Sequence, residues 1–254
     1  MKLIGMMDSP YVRRVAVSLA LYGVEFESLP LSVFSGFDEF SRINPVVKAP
    51  TVVLDNGTQL MDSTLILHYF ETTNPAGRRL LPAHPEALAR DLHLLGVILA
   101  ACEKAVQHVY EHRLRPEEKQ HQPWVARVTG QLLAACREWD ARLADRAAAA
   151  QPDQVMVTST VVWSFIQLMI RRWCRQRRFR IFARWRRRGR RCRRFNSIRW
   201  VNGRGRWIAA GRRRYRPAGL RSASCQRHRV LPRLPSLHKP MMPEQVWCIS
   251  DVFW

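Results

Sequence analysis

Apolar positions in the first 75 residues change period several times, and each change marks an element. Residues 2–6 form a short apolar run that reads as a buried strand. Ser9 and Pro10 then supply a hydroxyl at N-cap and a proline at the first helical position. Val12, Val15, Ala16 and Leu19 recur at three- and four-residue spacing, which predicts an amphipathic helix over 11–22, stopped by Gly23. Residues 25–29 read as a second strand, and a strand-helix-strand unit implies a parallel pair. Residues 31–46 are loop-like, with a short helix predicted near 37–43. A third strand at 51–54 meets Asp55-Asn56-Gly57, a strong hairpin signal, and a fourth strand follows near 59–61. Ser63 reads as the cap of a helix with Leu65, Ile66, Tyr69 and Phe70 on its apolar side. The order is β-α-β-α-β-β-α, with the first strand pair parallel and the last antiparallel.

Beyond this the period becomes helical. Residues 74–85 hold three prolines and a glycine and read as a linker. Long helices are predicted over 86–111 and 124–150, and a buried helix over the apolar stretch 155–170. At Arg171 the pattern breaks into Arg-Arg, Arg-Trp-Arg and Gly-Arg runs without apolar periodicity.

Charge sharpens that break. The chain of 254 residues has a formal charge of +22, but residues 171–254 carry 26 Lys and Arg against 2 acids. The remaining 16 basic and 18 acidic residues make the first 170 positions an ordinary, slightly acidic protein. The six cysteines, at 102, 136, 174, 192, 225 and 248, form no Cys-x-x-Cys pair. Neither a zinc ribbon nor a dithiol redox motif is indicated, so no metal is expected and reduced thiols are the default. The opening run Leu3–Met7 is too short for a secretory core and is stopped by Asp8, which favours a cytoplasmic reading.

The segment DSPYVRRVAVSLALYGVEFE, at 8–27, resembles the first strand-helix-strand of bacterial glutathione transferases. The segment INPVVKAPTVVLDNGTQLMDSTLILHYFE, at 43–71, resembles the third strand, hairpin and third helix of that family. The match covers residues 1–75 with the right spacing and continues more weakly to about residue 170. It implies a thioredoxin-like α/β domain at 1–75, an all-α domain at 86–170 that is truncated, and a foreign basic tail at 171–254. It also implies glutathione as co-substrate, a small hydrophobic electrophile as second substrate, and a homodimer.

The resemblance gives several residues roles. Read alone, Ser9 is an N-cap serine. Placed on the family pattern it is the catalytic residue, because a helix N-terminus lowers a thiol pKa and a hydroxyl can donate to the thiolate. Tyr11 offers a second hydroxyl within one turn, while Arg13 and Arg14 read as solvated or structural. Lys48, Ala49 and Pro50 match the family's cis-proline loop, in which the residue before proline pairs through its backbone with the cysteinyl part of glutathione. Lys48 is a candidate for the glycyl carboxylate. Asp62 and Ser63 match an acidic-serine pair at a helix start that holds the γ-glutamyl amino and carboxylate groups. Met6, Tyr11, His108 and Trp163 are candidates to line the second-substrate pocket, although a histidine or tryptophan on an apolar helix is more often core.

The helix at 155–170 lacks the family's Ser/Thr-x-x-Asp capping box, and Asp153 is a candidate substitute. A frame shift would account for the tail, since GC-rich alanine codons read off frame give arginine. Three other readings compete. One is non-specific polyanion binding, without zinc spacing or a recognition module, so specific nucleic-acid binding is not expected. A membrane span over 155–170 is disfavoured because 16 helical residues reach only ~24 Å. The third is a repelling, disordered chain end. The expected function is thus a glutathione transferase. The rival is a catalytically impaired glutathione-binding protein or a polyanion binder.

Overall fold

Leu3 and Ile4, both fully buried, make strand β1 (Lys2–Ile4) the centre of a sheet. The computed structural model describes residues 1–146, 151–172 and 174, and the backbone of 206–207. After β1 come helix α1 (Pro10–Tyr22), strand β2 (Phe26–Leu29), helix α2 (Phe37–Ile43), strands β3 (Thr51–Val53) and β4 (Gln59–Met61), and helix α3 (Ser63–Thr73). Helices α4 (Pro85–Leu114), α5 (Gln122–Asp145) and α6 (Gln154–Met169) follow, with a 3-10 turn at Glu117–Lys119. The last described element is a two-residue strand, β5 (Arg206–Trp207). The described residues all fall in one unit, Met1–Gly211; the second unit, Arg212–Trp254, lies outside them.

The sheet runs β4-β3-β1-β2-β5. β1 and β2 are parallel, with Leu3 opposite Ser28, and β1 and β3 are antiparallel, with Leu3 opposite Val52. The β3–β4 hairpin closes through Asn56, whose Oδ1 accepts from the Thr58 amide at 3.0 Å. This is the β-α-β-α-β-β-α order read from the sequence, with its parallel and antiparallel pairs in place. One edge differs. β5 pairs antiparallel with β2 and comes from the segment read as a foreign tail. The rest of that segment after Cys174 lies outside the described residues, as do 147–150 at the end of the helix expected over 124–150.

Two cores share one helix. Leu3, Val12, Val15, Leu19, Phe26, Val52, Ile66 and Phe70 form the core under the sheet, and Val157 and Val161 of α6 complete it. Other residues of α6, among them Val155, Val162, Trp163 and Ile166, enter the helical core with Leu94, Ile98, Leu132, Cys136 and Trp139. A buried polar seam fixes α6 to α1: Ser18 Oγ donates to Gln154 Oε1 at 3.1 Å, and Gln154 Nε2 donates to Thr158 Oγ1 at 3.2 Å. Asp153 does cap α6, accepting from the Met156 amide at 2.8 Å. Arg146 clamps this cap to α4, with Nη1 3.0 Å from Asp153 and a bidentate pair to Asp91 at 2.6 and 3.0 Å. The long helix α4 is apolar enough by length and composition to cross a membrane, but it packs against α5 and α6 through residues such as Leu94, Ile98, Ala101 and Ala105.

Candidate active site

Ser9 is the N-cap of α1. Its Oγ accepts from the Val12 amide at 3.4 Å and its own amide donates to the Met6 carbonyl at 3.1 Å. Because the amide is the donor in the capping bond, the hydroxyl proton stays free to be given elsewhere. Arg13 braces the approach, with Nε 2.8 Å from the Met7 carbonyl. A half-buried hydroxyl beside the unpaired amides of a 13-residue helix is a place that favours an anion.

The loop between α2 and β3 comes alongside. Asn44, 4% exposed, holds it from inside: Nδ2 donates to Thr51 Oγ1 at 2.8 Å, and Oδ1 accepts from the Val46 amide at 3.0 Å. Thr51 in turn donates to the Lys48 carbonyl at 2.7 Å. Within this frame the Ala49-Pro50 peptide is cis. Gly5, at φ +134°, lets the end of β1 pass close to this loop. A Cβ there would stand 3.0 Å from the Ala49 Cβ and 2.7 Å from Cγ2 of Val12.

The start of α3 differs from the sequence reading in one respect. Asp62, not Ser63, is the cap: its backbone sits at φ +68°, outside the helix, and its Oδ1 accepts from the Thr64 amide at 2.8 Å. Ser63 is the first helical residue and is 3% exposed. Its hydroxyl oxygen and that of Thr64 each accept from Nη1 of Arg14 at 3.2 Å. The other oxygen of Asp62 lies 3.7 Å from Lys48 Nζ across the loop. Lys48, Asp62, Ser63 and the Ala49 loop are therefore neighbours, and Arg14 ties the start of α3 to the helix that Ser9 caps.

The pocket candidates divide. Tyr11 packs on the helical core, with the Cys102 thiol of α4 close by. Burial, with Cys102 next to it, pushes the phenol well above its ordinary range. Burial likewise pushes the Cys102 thiol up to about 12, so both groups stay protonated. Met6 is half-buried just before Ser9 and supplies the carbonyl described above. His108 turns toward α5, with Nδ1 3.3 Å from Thr129 Oγ1 and its ring stacked 4.2 Å from His112. Trp163, 2% exposed, lies in the helical core with its ring edge-on to Trp139 at 6.1 Å. Phe34, from the loop after β2, meets Tyr110 of α4, centroids 5.5 Å apart and edge-on. Tyr110 also feels the charge of Asp8, just before Ser9. The Phe34–Tyr110 contact was not legible in the sequence, because it joins segments 76 positions apart. Among the described residues no group of three or more His, Cys, Asp or Glu side chains is placed to hold a metal.

Comparison with known proteins shows what the N-terminal part is similar to. Residues 3–78 match the glutathione S-transferase N-terminal domain. That match covers somewhat under a third of the chain. The "Uncharacterized GST-like protein YibF" of Escherichia coli is 32% identical over 130 residues, covering 47% of this chain and 64% of that one. Glutathione S-transferase U7 of Arabidopsis thaliana is 36% identical over 87 residues, covering 33% of this chain and 37% of that one. The chain thus spans from about a third to somewhat under two-thirds of these curated glutathione S-transferase relatives. A glutathione transferase family member from Pseudomonas fluorescens, solved with bound glutathione, is 26% identical with a TM-score of 0.61, covering 73% of this chain and 91% of that one. The glutathione S-transferase of Methylobacterium radiotolerans, in complex with glutathione sulfonate, shares the fold with a TM-score of 0.70 at 24% identity, covering 80% of this chain and 96% of that one.

Proposed function

We propose that the chain is a glutathione transferase that binds glutathione beside β3, between the starts of α1 and α3, and activates its thiol for attack on a small hydrophobic electrophile. The observation that carries this is the meeting of two helix starts with the Ala49 loop, tied by Arg14 to Ser63 and Thr64 and by Lys48 to Asp62. Glutathione has complementary chemistry: two carboxylates, one ammonium, a thiol and an extended peptide. Ser63 and the amides at the start of α3 take the γ-glutamyl carboxylate, and Asp62 takes the ammonium beside it. Ala49 pairs through its backbone with the cysteinyl unit, as an added strand would. Lys48 takes the glycyl carboxylate.

Ser9 then donates its free proton to the sulfur, while the amides of α1 favour the negative charge. The thiol proton leaves to water. The sulfur lone pair forms the S–C bond, and the electrophile's leaving group departs with its bonding electrons. The second substrate lies beside Met6 and Tyr11, toward α4. In this reading residues 1–75 carry the glutathione site, 86–170 the second-substrate wall, and 171–254 a basic extension. The working form is a cytoplasmic homodimer.

The test is calorimetric binding of glutathione together with conjugation of a chlorodinitrobenzene. Ser9→Ala removes a hydrogen bond to a charged group, worth about 1.5–3 kcal/mol, so kcat/KM is expected to fall roughly 10- to 100-fold. Wild-type turnover in Ser9→Ala, or no binding of glutathione at about 1 mM, would count against the proposal.

A further inference from the structure

Arg14 carries a buried charge that no described carboxylate contacts directly, although Asp62 acts on it from farther away. It sits one turn beyond Ser9 in α1 and is 2% exposed, between α1 and α3. Among the described residues no carboxylate lies within 4.0 Å of it, and its Nε–H meets no acceptor. Its two bonds go from Nη1 to the hydroxyl oxygens of Ser63 and Thr64, each at 3.2 Å. Burying a cation this way is costly unless something compensates it. Two neutral hydroxyls compensate it poorly.

These bonds fix the direction of the Ser63 hydroxyl. A guanidinium only donates, so Ser63 Oγ must accept from it. The single Ser63 proton is then left for an outside acceptor, at the start of an 11-residue helix whose Thr64 amide is capped by Asp62. The buried charge, the committed hydroxyl and the helix start all favour an anion with acceptor oxygens at one place.

We propose that Arg14 is a positioning residue for the α-carboxylate of the γ-glutamyl unit. Through Ser63 it orients the hydroxyl as a donor, and the bound carboxylate adds a second negative charge near the guanidinium beside that of Asp62. The assignment rests on the proposed glutathione site and adds to it a buried residue, Arg14, that acts on the ligand through Ser63.

The experiment compares two ligands on the full chain by calorimetry. One is glutathione. The other is its analogue with a 4-aminobutanoyl group in place of γ-glutamyl, which keeps the thiol, the glycyl carboxylate and the amine and lacks only the α-carboxylate. Wild-type protein is expected to bind glutathione at least 10-fold more tightly than the analogue. In Arg14→Met, affinity for glutathione is expected to fall about 10-fold while affinity for the analogue changes less than about 2-fold. Arg14→Lys keeps the charge without the fork, so it is expected to lose about 3-fold, again for glutathione alone. Should Arg14→Met not fold, the lysine variant decides by the same ratio. Equal losses for both ligands, or none for either, would overturn the assignment and leave Arg14 a packing residue. Failure of wild-type protein to bind glutathione at all would instead overturn the underlying proposal.

Discussion

Replacing Gly5 by alanine would probe how closely the sheet, α1 and the Ala49 loop are fitted together. The added Cβ would stand 2.7 Å from Cγ2 of Val12 and 3.0 Å from the Ala49 Cβ, against about 3.5–4.0 Å for a relaxed carbon contact. Val12 is fully buried and has no solvent to move into, whereas Ala49 is only half-buried. The Gly5 backbone, at φ +134°, adds strain for any residue with a Cβ. Overpacking costs about 1–3 kcal/mol and the strained backbone about 1–3 more, so a loss of roughly 2–6 kcal/mol is expected. For a chain of this size that lowers Tm by roughly 5–20 °C. The crowding has a direction, because the yielding side is Ala49 and its loop. Glutathione affinity, measured by calorimetry below the melting range, is therefore expected to weaken as well. Gly57→Ala is the control. It too has positive φ, at +83°, but a Cβ there meets nothing within 4 Å. It should cost only the backbone strain and leave binding unchanged. If Gly5→Ala melts and binds as Gly57→Ala does, the close-fit argument is wrong.

Two further outcomes follow from the helical half. Arg146→Met strands Asp91 and Asp153, which are largely buried, and is expected to cost roughly 2–4 kcal/mol in urea unfolding; a loss under about 0.5 kcal/mol would show that the clamp is idle. His108 is held at about 4, by burial first and by His112 second, whereas an unfolded histidine titrates near 6.5. The unfolded chain therefore takes up this proton first. Stability is full above about pH 6.5 and falls as pH drops toward about 4, by on the order of 2–3 kcal/mol. His108→Gln should flatten that part of the pH profile of Tm, and an unchanged profile would refute the assignment.

The elements of the first 75 residues were legible because each carries a local signal. Ser9-Pro10 and Gly23 bound α1, the Asp-Asn-Gly turn fixes the β3–β4 register, and Asp153 could be picked out as a cap without any tertiary knowledge. What local pattern could not show is which neighbour a side chain meets. Arg14 reads as either solvated or structural, and the choice is made only by tertiary packing: α3 and α6 both pack on α1 and bury that face as well as the one carrying Val12 and Leu19. His108 and Trp163 lie on apolar helices whose period gives burial but not direction, and they turn toward α5 instead. The Ser63 cap was misplaced by one position because Asp62 adopts a left-handed backbone, which no spacing rule reveals. The pairing of β5 with β2 brings together residues about 180 positions apart and has no signal in the arginine-rich sequence.

The most direct measurement is the titration of bound glutathione, followed by the ultraviolet absorbance of its thiolate. With Ser9 in place the thiol is expected to ionise at least about 1–2 units below the ordinary ~8.5, and Ser9→Ala should return about 1–2 units of that. A bound thiol that titrates near 8.5, or a depressed value that Ser9→Ala leaves unmoved, would contradict the account.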